Sequence, residues 1–298
     1  MSTEKKVGFY PGCSLDGTAG EYNLSVQSLA EAFGILLEPV PDWNCCGATA
    51  AHNLDKTLSL SLPARVLANA TEAGMADILV PCAACYNRLS CTSHELQQDR
   101  KLKQEIENLL GKKINSFPRI INLIQFVQDY LIDDLPGKIT QPFTAKSACY
   151  YGCLLVRPHD ILKFDRPEDP QSMENIMSLI GSECIDWPFK TECCGAGLSV
   201  SRTDVVARLS GRIVAECTER GADAIIVACP MCHANLDMRR SAINQYAGVK
   251  YDIPVLYLSQ VIGMALGLSE KKIGIRRHLV KVDVKNICRA RSTEKSLQ

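Results

Sequence analysis

Ten of the fifteen cysteines in this 298-residue chain form two sets of five with the same order and nearly the same spacing. The first set is Cys13, 31 residues, the pair Cys45-Cys46, 35 residues, then Cys82-x-x-Cys85. The second is Cys153, 39 residues, Cys193-Cys194, 34 residues, then Cys229-x-x-Cys232. Thiolates are soft ligands that suit zinc and iron–sulfur centres. A structural zinc site takes four ligands, usually as two CxxC-like pairs, whereas each set has five thiols and one CxxC. A cubane cluster takes four cysteines, typically in a CxxCxxC run, and the chain has no such run. A redox dithiol needs only the CxxC and leaves the single cysteine and the pair without a role. Adjacent cysteines cannot easily hold one tetrahedral ion together, but they can hold different irons of a larger cluster. The count points to an iron–sulfur cluster of unusual shape; zinc, and inert or disulfide thiols, stay open as alternatives.

The flanks repeat with the thiols. FYPGC at 9–13 matches CYYGC at 149–153, and CCGA recurs at 45–48 and 193–196. GMADILVPC at 74–82 matches GADAIIVAC at 221–229, and FPRIINLIQFVQDYL at 117–131 matches IPVLYLSQVIGMALGL at 253–268. Four landmarks in one order imply two homologous halves. Pro136, Gly137 and Pro142 punctuate the join between them. The expected division is 1–140, 141–268 and a basic C-terminal segment, 269–298.

The elements that must carry the thiols follow from periodicity. Short apolar strands are expected at 6–10, 35–40 and 77–80, with helices at 21–33, from 85 to about 108, and at 120–131. Residues 54–73 read as one or two helices with Pro63 as a break or a start. Strands alternating with helices predict an α/β protein: two pseudo-symmetric modules, each a small, mostly parallel sheet flanked by helices. The thiols then gather at the carboxyl edge of each sheet. Each CxxC opens a helix, whose free N–H groups favour thiolates. Gly12, Gly47, Gly152 and Gly195 let the backbone approach a bulky core, and Gly47 and Gly195 are expected at positive φ.

Composition narrows the classes. With 33 basic and 33 acidic side chains and 46% apolar residues, the chain has neither a nucleic-acid footprint nor a disordered composition. No apolar run approaches the ~20 residues of a membrane span. The first residues lack a signal peptide's apolar core, so a cytoplasmic location is expected.

The double pattern of one cysteine, a CC pair and a CxxC resembles the cysteine-rich CCG module. Two copies, without a ferredoxin motif, resemble the B subunit of heterodisulfide reductase over nearly the whole chain. One departure is the 34-residue interval before Cys229, one short of the usual range, which a loop deletion between strand ends would explain. The resemblance implies one noncubane [4Fe–4S] cluster per module. Cys13, Cys45, Cys46, Cys82 and Cys85 would hold the first, and Cys153, Cys193, Cys194, Cys229 and Cys232 the second. It further implies a small-molecule disulfide cleaved or formed between the clusters. Electrons would come from a small ferredoxin-like subunit with cubane clusters, itself fed by a flavin-containing subunit. The rival readings are an electron-relay subunit of another oxidoreductase, such as a glycolate, lactate or succinate enzyme, and a zinc-binding interaction module.

Other residues are weighed against plainer roles. His233 and its counterpart Tyr86 each follow a CxxC and could tune a cluster. Arg157 and His159 could contact substrate, with a surface loop as the default. Trp43 and Trp187 precede the CC pairs and are expected to keep water out. Cys91, Cys184, Cys217 and Cys288 read as structural or exposed thiols, and Cys149 as core packing with a possible influence on Cys153. Segment 269–298 carries nine Lys or Arg and three acidic residues, and reads as a solvated tail or as a docking surface for a partner.

Overall fold

The computed structural model describes residues 5–48 and 51–288. Lys5–Phe9 (β1), Ile35–Pro39 (β2), Asp77–Leu79 (β3) and Arg119–Ile121 (β4) form a parallel sheet in the order β2-β1-β3-β4. Ser147–Tyr150 (β5), Ala224–Val227 (β6) and Val255–Tyr257 (β7) form a second parallel sheet in the order β5-β6-β7. Where that sheet would need a counterpart of β2, Cys184 makes a single parallel bridge to Ser147. The two sheets therefore share one order, with the edge strand of the second reduced to one residue pair. All residues of β5, β6 and β7 are buried, which is why their sequences are short apolar runs rather than alternating ones.

The order reverses between β1 and β3, so the connections leaving them part in opposite directions. They leave a crevice at the carboxyl ends of the strands, where open α/β sheets bind ligands. Helices Gly20–Ala32 and Lys56–Glu72 make the first two crossovers. Ser172–Leu179 and Thr203–Glu219 do so in the second half. One apolar core runs through both sheets. At the seam Tyr22 stacks on Tyr257 with ring centroids 3.9 Å apart, and Ser25 and Ser259 share a 2.7 Å hydrogen bond.

Three expected elements differ. Pro63 neither breaks nor starts a helix; it sits buried inside the continuous helix Lys56–Glu72. The carbonyl that Pro63 leaves without a helical donor, that of Ser59, accepts a hydrogen bond from Arg88 Nη2 at 3.1 Å. The helix expected from 85 to 108 is two, Ala83–Gln98 and Arg100–Leu110, because Asp99 accepts from the amides of Lys101 and Leu102 and starts a new one. Residues 120–131 begin as strand β4, and Asn122 then caps the helix that follows by accepting from Ile124 and Gln125, while Gln125 Oε1 accepts from the Asn122 amide.

The basic C-terminal segment is anchored along its described part. Ile273, Gly274 and Ile275 are buried, while Lys271, Lys272, Arg276 and Arg277 face water. Lys272 O accepts from Ser28, and Asp237 accepts from the amides of Leu279 and Val280. The segment straps the first half to the second; the part beyond Cys288 lies outside the described residues.

Candidate metal centre

Each thiol set lies at the carboxyl end of its sheet. After β1 the chain turns at Pro11 into the short helix Gly12–Asp16, which carries Cys13. Cys45 and Cys46 follow β2 in an open loop, and Cys82 is the N-cap of Ala83–Gln98, one turn before Cys85. In the second half Cys153 follows β5, Cys193-Cys194 follows the Cys184 bridge, and Cys229 is the N-cap of Pro230–His233. The one-residue deletion falls just after the second CC pair. There a 3₁₀ turn, Ala196–Leu198, replaces the α-turn Ala51–Leu54, while the next helix keeps 17 residues in both halves.

A matched pair of tyrosines fixes the CC loops. Tyr10 at the end of β1 donates to Asn44 O at 2.7 Å, and Tyr150 at the end of β5 donates to Glu192 O at 2.6 Å. Those carbonyls belong to the residues immediately before Cys45 and Cys193. Trp43 packs edge-on to Tyr10, and buried Trp187 lies against Tyr150 while donating to Cys149 O. Gly47 and Gly195, as expected, have φ of 74° and 80°, and their amides point at Cys45 Sγ and Cys193 Sγ at 3.4 and 3.3 Å. A Cβ on Gly12 would lie 3.1 Å from Cys85 Sγ, and one on Gly152 3.0 Å from Cys232 Sγ.

The sulfurs converge. Cys46 and Cys85 are 3.2 Å apart, Cys13 and Cys45 4.0 Å, and Cys194 and Cys232 3.7 Å. All are free thiols; Cys153 lies beside Cys193, and Cys82 beside Cys229 across the seam, so the ten thiols make one continuous patch. The neighbouring thiols of Cys45 and Cys85 pull Cys46 down to about 3, against burial. Cys153, with the Gly195 and Ala196 amides, pulls Cys193 down to about 6 against burial. Cys232 and Cys82 hold Cys229 well below the usual thiol range. Cys85 and Cys232 are pushed well above it, Cys85 chiefly by Cys46 and Cys232 chiefly by Cys194. Thiolates beside thiols, with glycines where a Cβ would touch sulfur and amides aimed at sulfur, suit a bulky thiolate-held centre.

The remaining candidates are placed as follows. His233 is buried, stacks on Tyr257 and lies within hydrogen-bond distance of Val255 O and His278 Nδ1. Tyr86 is buried in the corresponding place, and burial pushes its hydroxyl up to about 12. Arg157 and His159 are exposed; Arg157 pairs with Glu168 and touches Thr191. Cys149 is buried with its sulfur 3.8 Å from that of Cys184, Cys217 is buried, and Cys91 and Cys288 are half-buried. Sequence reasoning passed over the two tyrosines, Asn235 and Arg88, although each stands at a matched repeat position. Asn235 Nδ2 donates to Cys194 O at 3.0 Å and lies 3.7 Å from its sulfur.

His233, Asp237 and His278 bring ligand atoms within 4.8 Å of one another. The Gln260 amide decides how they are used. Its Oε1 accepts from Tyr257 N and its Nε2 donates to Ile273 O, so its second N–H points at His278 Nε2, 2.8 Å away. A metal on His278 Nδ1 would leave a hydrogen on Nε2 facing that donor. The two histidines belong to a hydrogen-bond network with Gln260, while Asp237 accepts from the amides of Leu279 and Val280.

The cysteine-rich domain family CCG matches residues 7–90 and 147–237 of this chain. The B subunit of the ferredoxin:CoB-CoM heterodisulfide reductase of Methanosarcina mazei is 30% identical over 286 residues, 93% of this chain and 94% of that protein. The 8-methylmenaquinol:fumarate reductase membrane anchor subunit of Wolinella succinogenes is 29% identical over 280 residues, 93% of this chain and 98% of that protein. A solved hypothetical protein from Helicobacter pylori matches with a TM-score of 0.75 at 14% identity. The match covers 94% of this chain and 53% of that one, so this chain spans about half of it; the likeness speaks for the fold. No helix among the described residues is long and apolar enough to cross a membrane.

Proposed function

The chain belongs to the CCG cysteine-rich family, with two modules as in the B subunit of heterodisulfide reductase, and on that premise we propose that it is the catalytic iron–sulfur subunit of a disulfide oxidoreductase complex. The modules are 1–140 and 141–268, a division that the two separate sheets support. Each module holds one noncubane [4Fe–4S] cluster through its five cysteines. Cys13, Cys45, Cys46, Cys82 and Cys85 serve the first; Cys153, Cys193, Cys194, Cys229 and Cys232 serve the second. Such clusters supply one electron each and iron that binds a thiolate sulfur.

The chain's own residues do the rest. Tyr10 and Tyr150 hold the CC loops in register with the CxxC helices. Trp43 and Trp187 cover them on the protein side. A cavity of about 350 Å³ lies between Ser14 and Thr18 of the first half and Ser199, Met231, Asn235 and Arg239 of the second. Its mixed polar and apolar lining gives a small disulfide or thiol a way to the seam. A ferredoxin-like subunit, itself served by a flavin-containing one, would bring electrons to the exposed Cys13, Cys45 and Cys193 side.

The observation that carries this reading is the Cys82–Cys229 contact, which sets the two thiol sets face to face. Analysis of iron and acid-labile sulfide on anaerobically purified protein tests it, with about eight of each per chain expected. Addition of a small-molecule disulfide should then change the cluster spectrum. Full cluster content with an unchanged spectrum favours the second reading, an electron-relay subunit, for which the near full-length likeness to a fumarate reductase subunit speaks. Zinc with little sulfide after iron reconstitution would replace both with an interaction module.

A further inference from the structure

Arg88 stands three residues after Cys85, on the same face of helix Ala83–Gln98. Pro63 positions it, because the Ser59 carbonyl freed by the missing proline N–H is the acceptor for Arg88 Nη2. Arg88 Nε is buried without a hydrogen-bond partner, and among the described residues no carboxylate pairs with the guanidinium. Among the described residues no ion pair therefore cancels its charge at contact distance, and Arg88 stands close enough to Cys46 to interact with it electrostatically. Asn235 occupies the matched place in the second half, three residues after Cys232, where it gives Cys194 a neutral amide instead of a cation.

A second exchange runs in the same direction. The residue whose carbonyl takes the tyrosine bond is Asn44 in the first half and Glu192 in the second. Glu192 thus places a carboxylate immediately before Cys193 where the first half has a neutral amide. It is exposed, and Arg212, seated over Phe189, borders the same small cavity, so this contribution is the smaller one. Arg65, near Asn44, is paired with Asp42.

We propose that Arg88, held by the carbonyl that Pro63 frees, makes the first thiol set the better holder of negative charge, so that the first module carries the higher-potential centre of the two. The inference rests on the reading of two iron–sulfur centres. A fixed cation favours the more negative, reduced form of a cluster, and net charge is one of the determinants of cluster potential. The order follows from the repeats differing at 88 and 235 while matching at every thiol.

The test is a reductive titration of the anaerobic holoprotein followed by electron paramagnetic resonance. Two one-electron steps at different potentials are expected, and the step that disappears in Cys46→Ser belongs to the first module. Arg88→Asn should lower that step alone, by about tenfold in the oxidised-to-reduced ratio at fixed potential, ~59 mV for one electron. Arg88→Lys should keep it near its original place, and Glu192→Gln should raise the other step by less. If Arg88→Asn loses its centre, Asn235→Arg decides, and it should raise the second step. Coincident midpoints, or an Arg88→Asn titration that overlays the original, overturn this inference while leaving the function intact. Protein that binds no iron and sulfide overturns both.

Discussion

The two halves agree wherever a thiol is held and differ in what surrounds it. A tyrosine at the end of the first strand donates to the carbonyl before each CC pair. A positive-φ glycine follows each pair, and another lies where a Cβ would touch the second CxxC sulfur. Around that frame the halves have diverged. Strand β2 is five residues long, and its counterpart is a single bridge at Cys184. The helix after the first CxxC has 16 residues, whereas the second has four before it widens into the π-turn Ala234–Met238. The local geometry that gathers five sulfurs tolerates little change, while strand length and nearby charge are free to vary and so to make the two sites unequal.

The largest expected effect tests the shared part. Cys46→Ser and Cys194→Ser should each lower iron from about eight to about four per chain and each abolish nearly all disulfide chemistry, because both sites are needed for a two-electron reaction. Full turnover in both variants would break the comparison at its root. Gly12→Ala and Gly152→Ala should act as a matched pair, since both residues have positive φ, 62° and 66°, and both crowd a CxxC sulfur. Each should cost about 1–2 kcal/mol in denaturant unfolding and one centre's iron. Loss from one half only would mean that the second cradle is not built like the first. Tyr10→Phe and Tyr150→Phe should each cost about 1 kcal/mol, with the CC loop exchanging amide hydrogens faster in the affected half.

Most of the shared part was legible in the sequence, because a ligand set repeats as residue types at fixed intervals. The strands after which the thiols fall, the helices opened by the CxxC pairs, and the positive φ of Gly47 and Gly195 follow from local chemistry. The divergent part was not legible, because it depends on partners distant in the chain. Pro63 reads as a helix breaker until Arg88, 25 positions later, supplies the missing donor. Residues 120–131 read as one helix because their apolar periodicity does not report Asn122 as a cap. The basic segment reads as a tail because its charges outnumber Ile273 and Ile275, which bury it.

The smallest effect uses two buried carboxylates that are shifted in opposite directions. In the first half Lys113, helped by the Ile114 amide and opposed by burial, holds Glu107 below its ordinary value. Its contribution is present above the unfolded value and is lost as pH falls through the lower folded one. In the second half burial pushes Glu174 up, and Tyr151 and Lys190 only partly offset it. The folded state binds that proton more tightly, so its contribution is present below the unfolded value and is lost as pH rises through the folded one. Protection factors from hydrogen exchange should therefore move in opposite senses on acidification, rising around 173–177 and then falling around 106–114. Glu107→Gln should remove the second change and leave the first. Parallel movement in both regions would mean that the shared core, rather than these local pairs, sets the acid response, and the halves would then be one cooperative unit.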